Sequence, residues 1–278
     1  MLDVVIDCLI DSLKLLPYLF LTFLILELIE HKLDKKNKKI LTKNKKYGPV
    51  LGALLGALPQ CGFSTMASSL FSSRVITIGT LIAVFLSTSD EMIPVMLSEN
   101  ASITLMLKII GFKIVIGMFF GIIIDLFYKT KEKEEHIHDL CEKDHCHCEH
   151  DGIFKSSLIH TLKTGLFILI ANLVLGFTIY FVGEERLENL LLNKNIFVYL
   201  IASLVGLIPN CASSVIMTHL YVSKLISIGT LMSGLLTGSG LGILMLFKSN
   251  KNKKENIFIV IAIIIIGVLV GAILDLIV

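Results

Sequence analysis

The apolar positions of this chain come in blocks, not in stripes. Residues 4–29, 75–97, 103–128, 153–182, 225–247 and 257–278 form six long apolar runs. Each is long enough for a helix to cross a hydrocarbon core of about 30 Å, which takes about 20 residues. Two further apolar stretches, 47–73 and 196–223, are interrupted near the middle, by Pro59-Gln60-Cys61-Gly62 and by Pro209-Asn210-Cys211-Ala212. Each of these predicts two half-length helices of roughly 12 residues around a proline break. With the halves counted separately, the pattern predicts an all-α polytopic membrane protein of about ten helices.

The two broken stretches belong to a longer repeat. A gap-free shift of 150 residues lays residues 56–97 on 206–247. It pairs Gly56 with Gly206, Pro59 with Pro209, Cys61 with Cys211, Ser64 with Ser214, Gly79 with Gly229, Thr80 with Thr230 and Ser89 with Ser239. Gln60 meets Asn210, and Arg74 meets Lys224. The same shift sets Asp125 on Asp275, each four residues after a glycine, Gly121 or Gly271. Apolar sequence matches itself cheaply at Leu and Ile, but not at Pro, Cys, Gly and Asp in one register. Each half then holds five helices, and an odd repeat inserts its second copy upside down. Two inverted five-helix repeats, each with a Pro-broken helix pair meeting near the midplane, are a transporter plan.

Charge placement orients the chain. The 54% hydrophobic content leaves 17% charged residues, and much of that sits between the apolar blocks. Eight lysines fall in residues 32–46 and four more in 248–254, so both segments are expected in the cytoplasm. Segment 183–195 carries Glu184, Glu185 and Glu188 and suits the outside. The amino-terminal run lacks a basic start and is too long for a cleavable leader, so it is expected to stay as a span. Lysine placement leaves open whether each broken segment is a re-entrant hairpin, two spans or one kinked span. The expected organisation is a first membrane repeat over 1–128, a linker over 129–155 and a second membrane repeat over 156–278. The linker is cytoplasmic if the breaks are hairpins or paired spans. A net charge of +2 points to no nucleic-acid partner; the partners expected are the lipid bilayer, a metal or metalloid ion, and a coupling proton or ion.

Non-helical backbone inside a membrane must be buried in protein or line a wet cavity, because lipid satisfies no N–H or C=O group. The breaks therefore mark a candidate pathway: Gln60, Cys61 and Ser64 in one half, Asn210, Cys211, Ser213 and Ser214 in the other. A charge at the centre of a span costs about 2.5–3.5 kcal/mol on insertion scales, which singles out Asp90, Glu91, Lys113, Asp125 and Asp275. Asp125 and Asp275 lie near helix ends and read as structural. Asp90 and Glu91 join the pathway as carboxylates able to attract a cation, and their images, Gly240 and Leu241, are uncharged. His219, about two turns past Cys211, reads as a packing residue. No catalytic residue and no organic cofactor is expected. Enzymes acting on lipid phosphates need carboxylates, basic groups or histidines clustered at the breaks, and these breaks carry Gln, Asn, Cys and Ser.

The linker holds its own chemistry. His136, His138, Cys141, His145, Cys146, His147, Cys148 and His150 crowd eight imidazole or thiol donors into fifteen residues. Such donors suit zinc, copper, nickel and similar ions. The spacing is not that of a closed structural zinc site, so the tract reads as a flexible chelator of metal beside the membrane.

Three segments together, Leu58-Pro59-Gln60-Cys61-Gly62-Phe63-Ser64, residues 79–91, and Ile208-Pro209-Asn210-Cys211-Ala212-Ser213-Ser214, resemble the bacterial family of ten-transmembrane heavy-metal exporters. Its members carry the labels arsenic efflux protein and manganese transporter. The resemblance spans almost the whole chain and implies export of a metal or metalloid across the cytoplasmic membrane. Thiols at Cys61 and Cys211 would suit arsenite. Carboxylate and carbonyl oxygens at Asp90, Glu91, Gln60 and Asn210 would suit manganese. The His/Cys linker favours a divalent cation. No phosphate-binding GxxxxGK[ST] motif is present, so the expected mechanism is secondary transport, coupled to protons or another ion.

Overall fold

A computed structural model of the chain describes residues 47–58, 61–89, 92–98, 101–128, 197–209 and 211–277, with scattered helical positions between 9 and 24 and between 154 and 191. The described segments hold ten helices: α1 (Gly48–Gly56), α2 (Cys61–Ser72), α3 (Ile78–Ser87), α4 (Met92–Ser98), α5 (Ile103–Phe127), α6 (Val198–Gly206), α7 (Cys211–Val222), α8 (Ile228–Thr237), α9 (Gly242–Ser249) and α10 (Lys253–Ile277). The protein is all-helical in these residues. Helices α1–α5 recur as α6–α10 at an offset of 150, and only the last residue of α9 departs from that register.

Local chemistry explains why the boundaries repeat. Helix α3 is capped by Thr77, whose Oγ1 accepts from the Thr80 N–H at 3.1 Å. Helix α8 is capped by Ser227 through the Thr230 N–H at the same distance. Each start is then held by a carboxylate from the last turn of a long helix. Asp125 Oδ1 accepts from Gly79 N–H at 2.8 Å, and Oδ2 accepts from Thr77 Oγ1 at 2.5 Å. Asp275 Oδ1 accepts from Gly229 N–H at 2.7 Å, and Oδ2 from Ser227 Oγ and from the Tyr199 hydroxyl. A negative group beside the unpaired N–H groups of a helix start is favourable on both hydrogen-bond and dipole grounds. The ends of α2 and α7 also match, since each turns through a left-handed non-glycine residue, Arg74 (φ 60°) or Lys224 (φ 59°).

One expectation is corrected here. Residues 75–97 and 225–247 were expected to be unbroken spans, yet α3 stops at Ser87 with α4 starting at Met92, and α8 stops at Thr237 with α9 starting at Gly242. Hydropathy alone misses this, because Ser, Thr and Gly interrupt a helix at little cost in apolarity. Ser87 Oγ and Thr88 Oγ1 both donate to the Val84 carbonyl, at 3.0 and 2.8 Å. Thr237 Oγ1 donates to Ser233 O and Gly234 O, and Gly240 takes a left-handed φ of 53°. Such hydroxyls offer the last-turn carbonyls an alternative to helix continuation. Taken through its interruption, Ile228–Ser249 still has the length and hydropathy of a span, as do α5 and α10.

The half-helices form the centre. Every residue of α3 is buried, and so are Gly229–Thr237 of α8. Helices α1 and α5 pack on α3, α6 and α10 pack on α8, and α3 touches α8. The shorter helices cross between repeats: α2 packs on α9 and α7 on α4. Long and short helices approach at small residues. A Cβ added to Gly121 would lie 2.7 Å from the Gly79 carbonyl oxygen, and one on Gly271 would lie 2.5 Å from that of Gly229. Close backbone approach of this kind is how helices associate in lipid, where no hydrophobic force draws them together. The outer faces of α5 (Val115, Phe119, Ile122, Leu126) and α10 (Ile261, Ile265, Leu269, Ile273) are exposed apolar stripes at helical spacing. So wide an apolar surface fits lipid, not water. This is a membrane protein built around two buried half-helices.

If Asp125 and Asp275 do the same work, Asp125→Ala and Asp275→Ala should each cost about 1–3 kcal/mol by orphaning helix-start N–H groups. Thermal unfolding of the purified protein in detergent checks this. A drop for one variant with wild-type behaviour of the other would contradict the equivalence.

Candidate functional site

The interrupted elements converge. A small cavity of about 20 Å³ lies among three of the four interruptions. Thr88, Ser89 and Met92 line it from the α3–α4 connection, Gly206, Ile208, Ser213 and Ser214 from the α6–α7 break, and Leu235, Gly238 and Gly240 from the end of α8 and the α8–α9 connection. That volume admits about one water or one bare ion. The first repeat's break meets the other connection in the reciprocal way. Ser68 Oγ donates to Gly242 O at 2.7 Å, and a Cβ added to Gly242 would lie 2.8 Å from the Ser64 Cβ. Each repeat's break thus abuts the other repeat's second interruption.

The expected site residues fall as follows. Ser213 and Ser214 line the cavity, and Ser213 Oγ donates to the Ile208 carbonyl at 3.4 Å, at the break. Ser64 is fully buried on α2 beside Gly242. Cys61 and Cys211 are the first residues of α2 and α7. Gln60, Asp90, Glu91 and Asn210 lie outside the described residues, as do all eight donors of the His/Cys linker. Asp90 and Glu91 nevertheless fall in the chain between Ser89 and Met92, both of which line the cavity. His219 is exposed on α7 and takes no part in the lining. Among the described residues, no three His, Cys, Asp or Glu side chains come together as a metal cluster. The donors that the described cavity itself offers are hydroxyls and main-chain groups.

The residue that sequence reasoning underweighted is Lys113. It sits in the middle of α5 and is 1% exposed. Its Nζ donates to the carbonyl oxygens of Thr88 and Leu235, the latter at 2.8 Å. These carbonyls lie at the ends of α3 and α8, where the last-turn acceptors have no helical partner and the dipole end is negative. One ammonium therefore ties the central half-helices of both repeats together, and both residues it holds line the cavity. The signal was present in the sequence as a lysine deep inside an apolar helix, a feature that inside a membrane marks function by default. Its image in the second repeat is Ile263.

With this geometry in view, the comparisons with known proteins decide the family. Residues 1–185 match the model of the ArsP_2 family, described as "Putative, 10TM heavy-metal exporter". The chain belongs to this family. No curated protein and no solved structure matches the chain. Family membership supports a membrane transporter whose substrate is a metal ion, and the buried half-helix ends are the part of this fold that could handle one.

Replacing Lys113 with Met would leave two buried carbonyls without their donor at the join of the repeats. We expect Lys113→Met to cost about 3 kcal/mol, from two hydrogen bonds made by a charged group. The check is the unfolding midpoint in detergent, and an unchanged midpoint would remove Lys113 from the join.

Proposed function

We propose that the protein is a secondary transporter that exports a heavy-metal ion across the cytoplasmic membrane, passing it through a site at the paired helix breaks. The observation that carries this reading is the reciprocal packing of the interrupted elements, α2 on α9 and α7 on α4, around a small cavity where hydroxyls and main-chain groups stand among apolar side chains. A soluble core would fill such a position with side chains. In a membrane, converging half-helix ends supply fixed dipoles and free carbonyls where an ion has shed its water.

The two repeats, 1–128 and 156–278, are read as inverted. Helices α1 and α2 hold 9 and 12 residues, too few to cross separately at 1.5 Å per residue, which favours a re-entrant hairpin at Pro59 and another at Pro209. The α3–α4 and α8–α9 pairs then cross as broken spans. Each repeat makes three crossings, so α5 enters the cytoplasm where α10 leaves it. This agrees with both lysine segments facing inward and places the 129–155 linker in the cytoplasm. There its His and Cys donors would collect metal for export, with thiols kept reduced.

A divalent cation such as manganese is the favoured cargo. Carboxylates at Asp90 and Glu91 adjoin cavity residues in the chain, and hard divalent ions select carboxylate and carbonyl oxygen. Arsenite is the second reading, favoured by Cys61 and Cys211 opening α2 and α7 at equivalent places. The protein is read as a carrier and not an enzyme, in keeping with the exporter description of its family.

Elemental analysis of cells with and without the protein, under manganese, zinc, cadmium, cobalt and arsenite, tests this directly. The expected outcome is a lower content of one metal when the protein is present. Cys61→Ser or Asn210→Ala should abolish that difference, and removal of residues 136–150 should weaken it without abolishing it. Equal content and tolerance across the panel would overturn the proposal.

A further inference from the structure

The Lys113 ammonium has no counterpart in the other repeat. Under the 150-residue equivalence, its acceptors Thr88 O and Leu235 O become Gly238 O and Phe85 O, again one carbonyl from the end of each central half-helix. The residue in lysine's place is Ile263, fully buried and unable to donate. Beside Gly238 stands Ser239, itself fully buried. Its Oγ is one of two buried side-chain polar atoms without a hydrogen-bond partner among the described residues. The Phe85 ring reaches the same connection. A Cβ added to Gly242, whose N–H donates to Ser239 O, would lie 2.8 Å from the Phe85 ring. A buried hydroxyl without a partner is costly and calls for an explanation, such as a place for an ion or an ordered water.

We propose that Phe85 O, Gly238 O and Ser239 Oγ form a site for a monovalent alkali cation, the mirror of the place that Lys113 fills with its own ammonium. The chemistry follows from the donors, which are neutral oxygens at negative helix ends. A divalent ion would demand carboxylate partners. A single ion here would join α3 to α8 a second time, and it is the class of ion whose gradient can drive export. Only that coupling role rests on the transporter reading; the binding site does not.

The test uses the full chain in lipid nanodiscs and radioactive sodium in choline buffer, with potassium and lithium as competitors to identify the preferred ion. Saturable binding is expected in the wild type. Ser239→Ala should weaken it about tenfold, the equivalent of 1.4 kcal/mol. Ile263→Lys should abolish it by placing a second ammonium on the carbonyl pair. Ser239→Ala removes only one oxygen and stands as the test should Ile263→Lys fail to fold. No saturable binding of any of the three ions, or wild-type binding in a folded Ser239→Ala variant, would overturn the site. Metal efflux without alkali-cation binding would sink this inference and leave the exporter reading intact. Binding without metal efflux would do the reverse.

Discussion

Lipid accepts and donates no hydrogen bonds, so each N–H and C=O freed where a helix stops inside the membrane must be met by the protein itself. The rest of this structure follows from that constraint. The starts of α3 and α8 are met by Thr77 and Ser227 and by the carboxylates of Asp125 and Asp275. Their ends are met by the hydroxyls of Ser87, Thr88 and Thr237, and by the ammonium of Lys113. Long helices α5 and α10 supply the distant partners, with Lys113, Asp125 and Asp275 turned to the half-helices and an apolar stripe on the outer face of each long helix. Glycines at positions 79, 121, 229 and 271 let the backbones come close enough for those carboxylates to reach.

Much of this was legible in the chain. The 150-residue register was visible in Pro59 and Pro209, Cys61 and Cys211, and Asp125 and Asp275, because residues with fixed backbone or polar duties do not pair by accident. The helix boundaries at Gly56 and Cys61, and at Gly206 and Cys211, fall where the proline-centred patterns lie. The second interruptions were not legible from hydropathy. Ser87-Thr88-Ser89 and Thr237-Gly238-Ser239-Gly240 barely lower an apolar average, yet their hydroxyls and glycines end a helix when tertiary partners take over the carbonyls. Lys113 stood out as a charge, but its role did not. Nothing local says that its ammonium reaches Leu235 in the other repeat, 122 residues away in the chain.

The repeats are equivalent in fold and unequal in chemistry. One central carbonyl pair is closed by a covalently attached cation, whereas in the second repeat Ile263 stands in the lysine's place and the buried Ser239 hydroxyl has no hydrogen-bond partner among the described residues. Asp90 and Glu91 stand against Gly240 and Leu241 in the same sense. Duplication supplied the architecture of a carrier, two half-helix assemblies packed crosswise. Differences at a few central positions then make the halves chemically unlike.

We infer that the second repeat is the first turned over in the membrane. The most direct measurement labels equivalent helix starts from each side. Ser102→Cys at the start of α5 and Asn252→Cys at the start of α10 would be made in a chain whose six native cysteines are replaced by serine. A membrane-impermeant maleimide is then applied to right-side-out and inverted vesicles. The account predicts labelling of residue 102 from outside only and of residue 252 from the cytoplasmic side only. Labelling of both from the same side would contradict it.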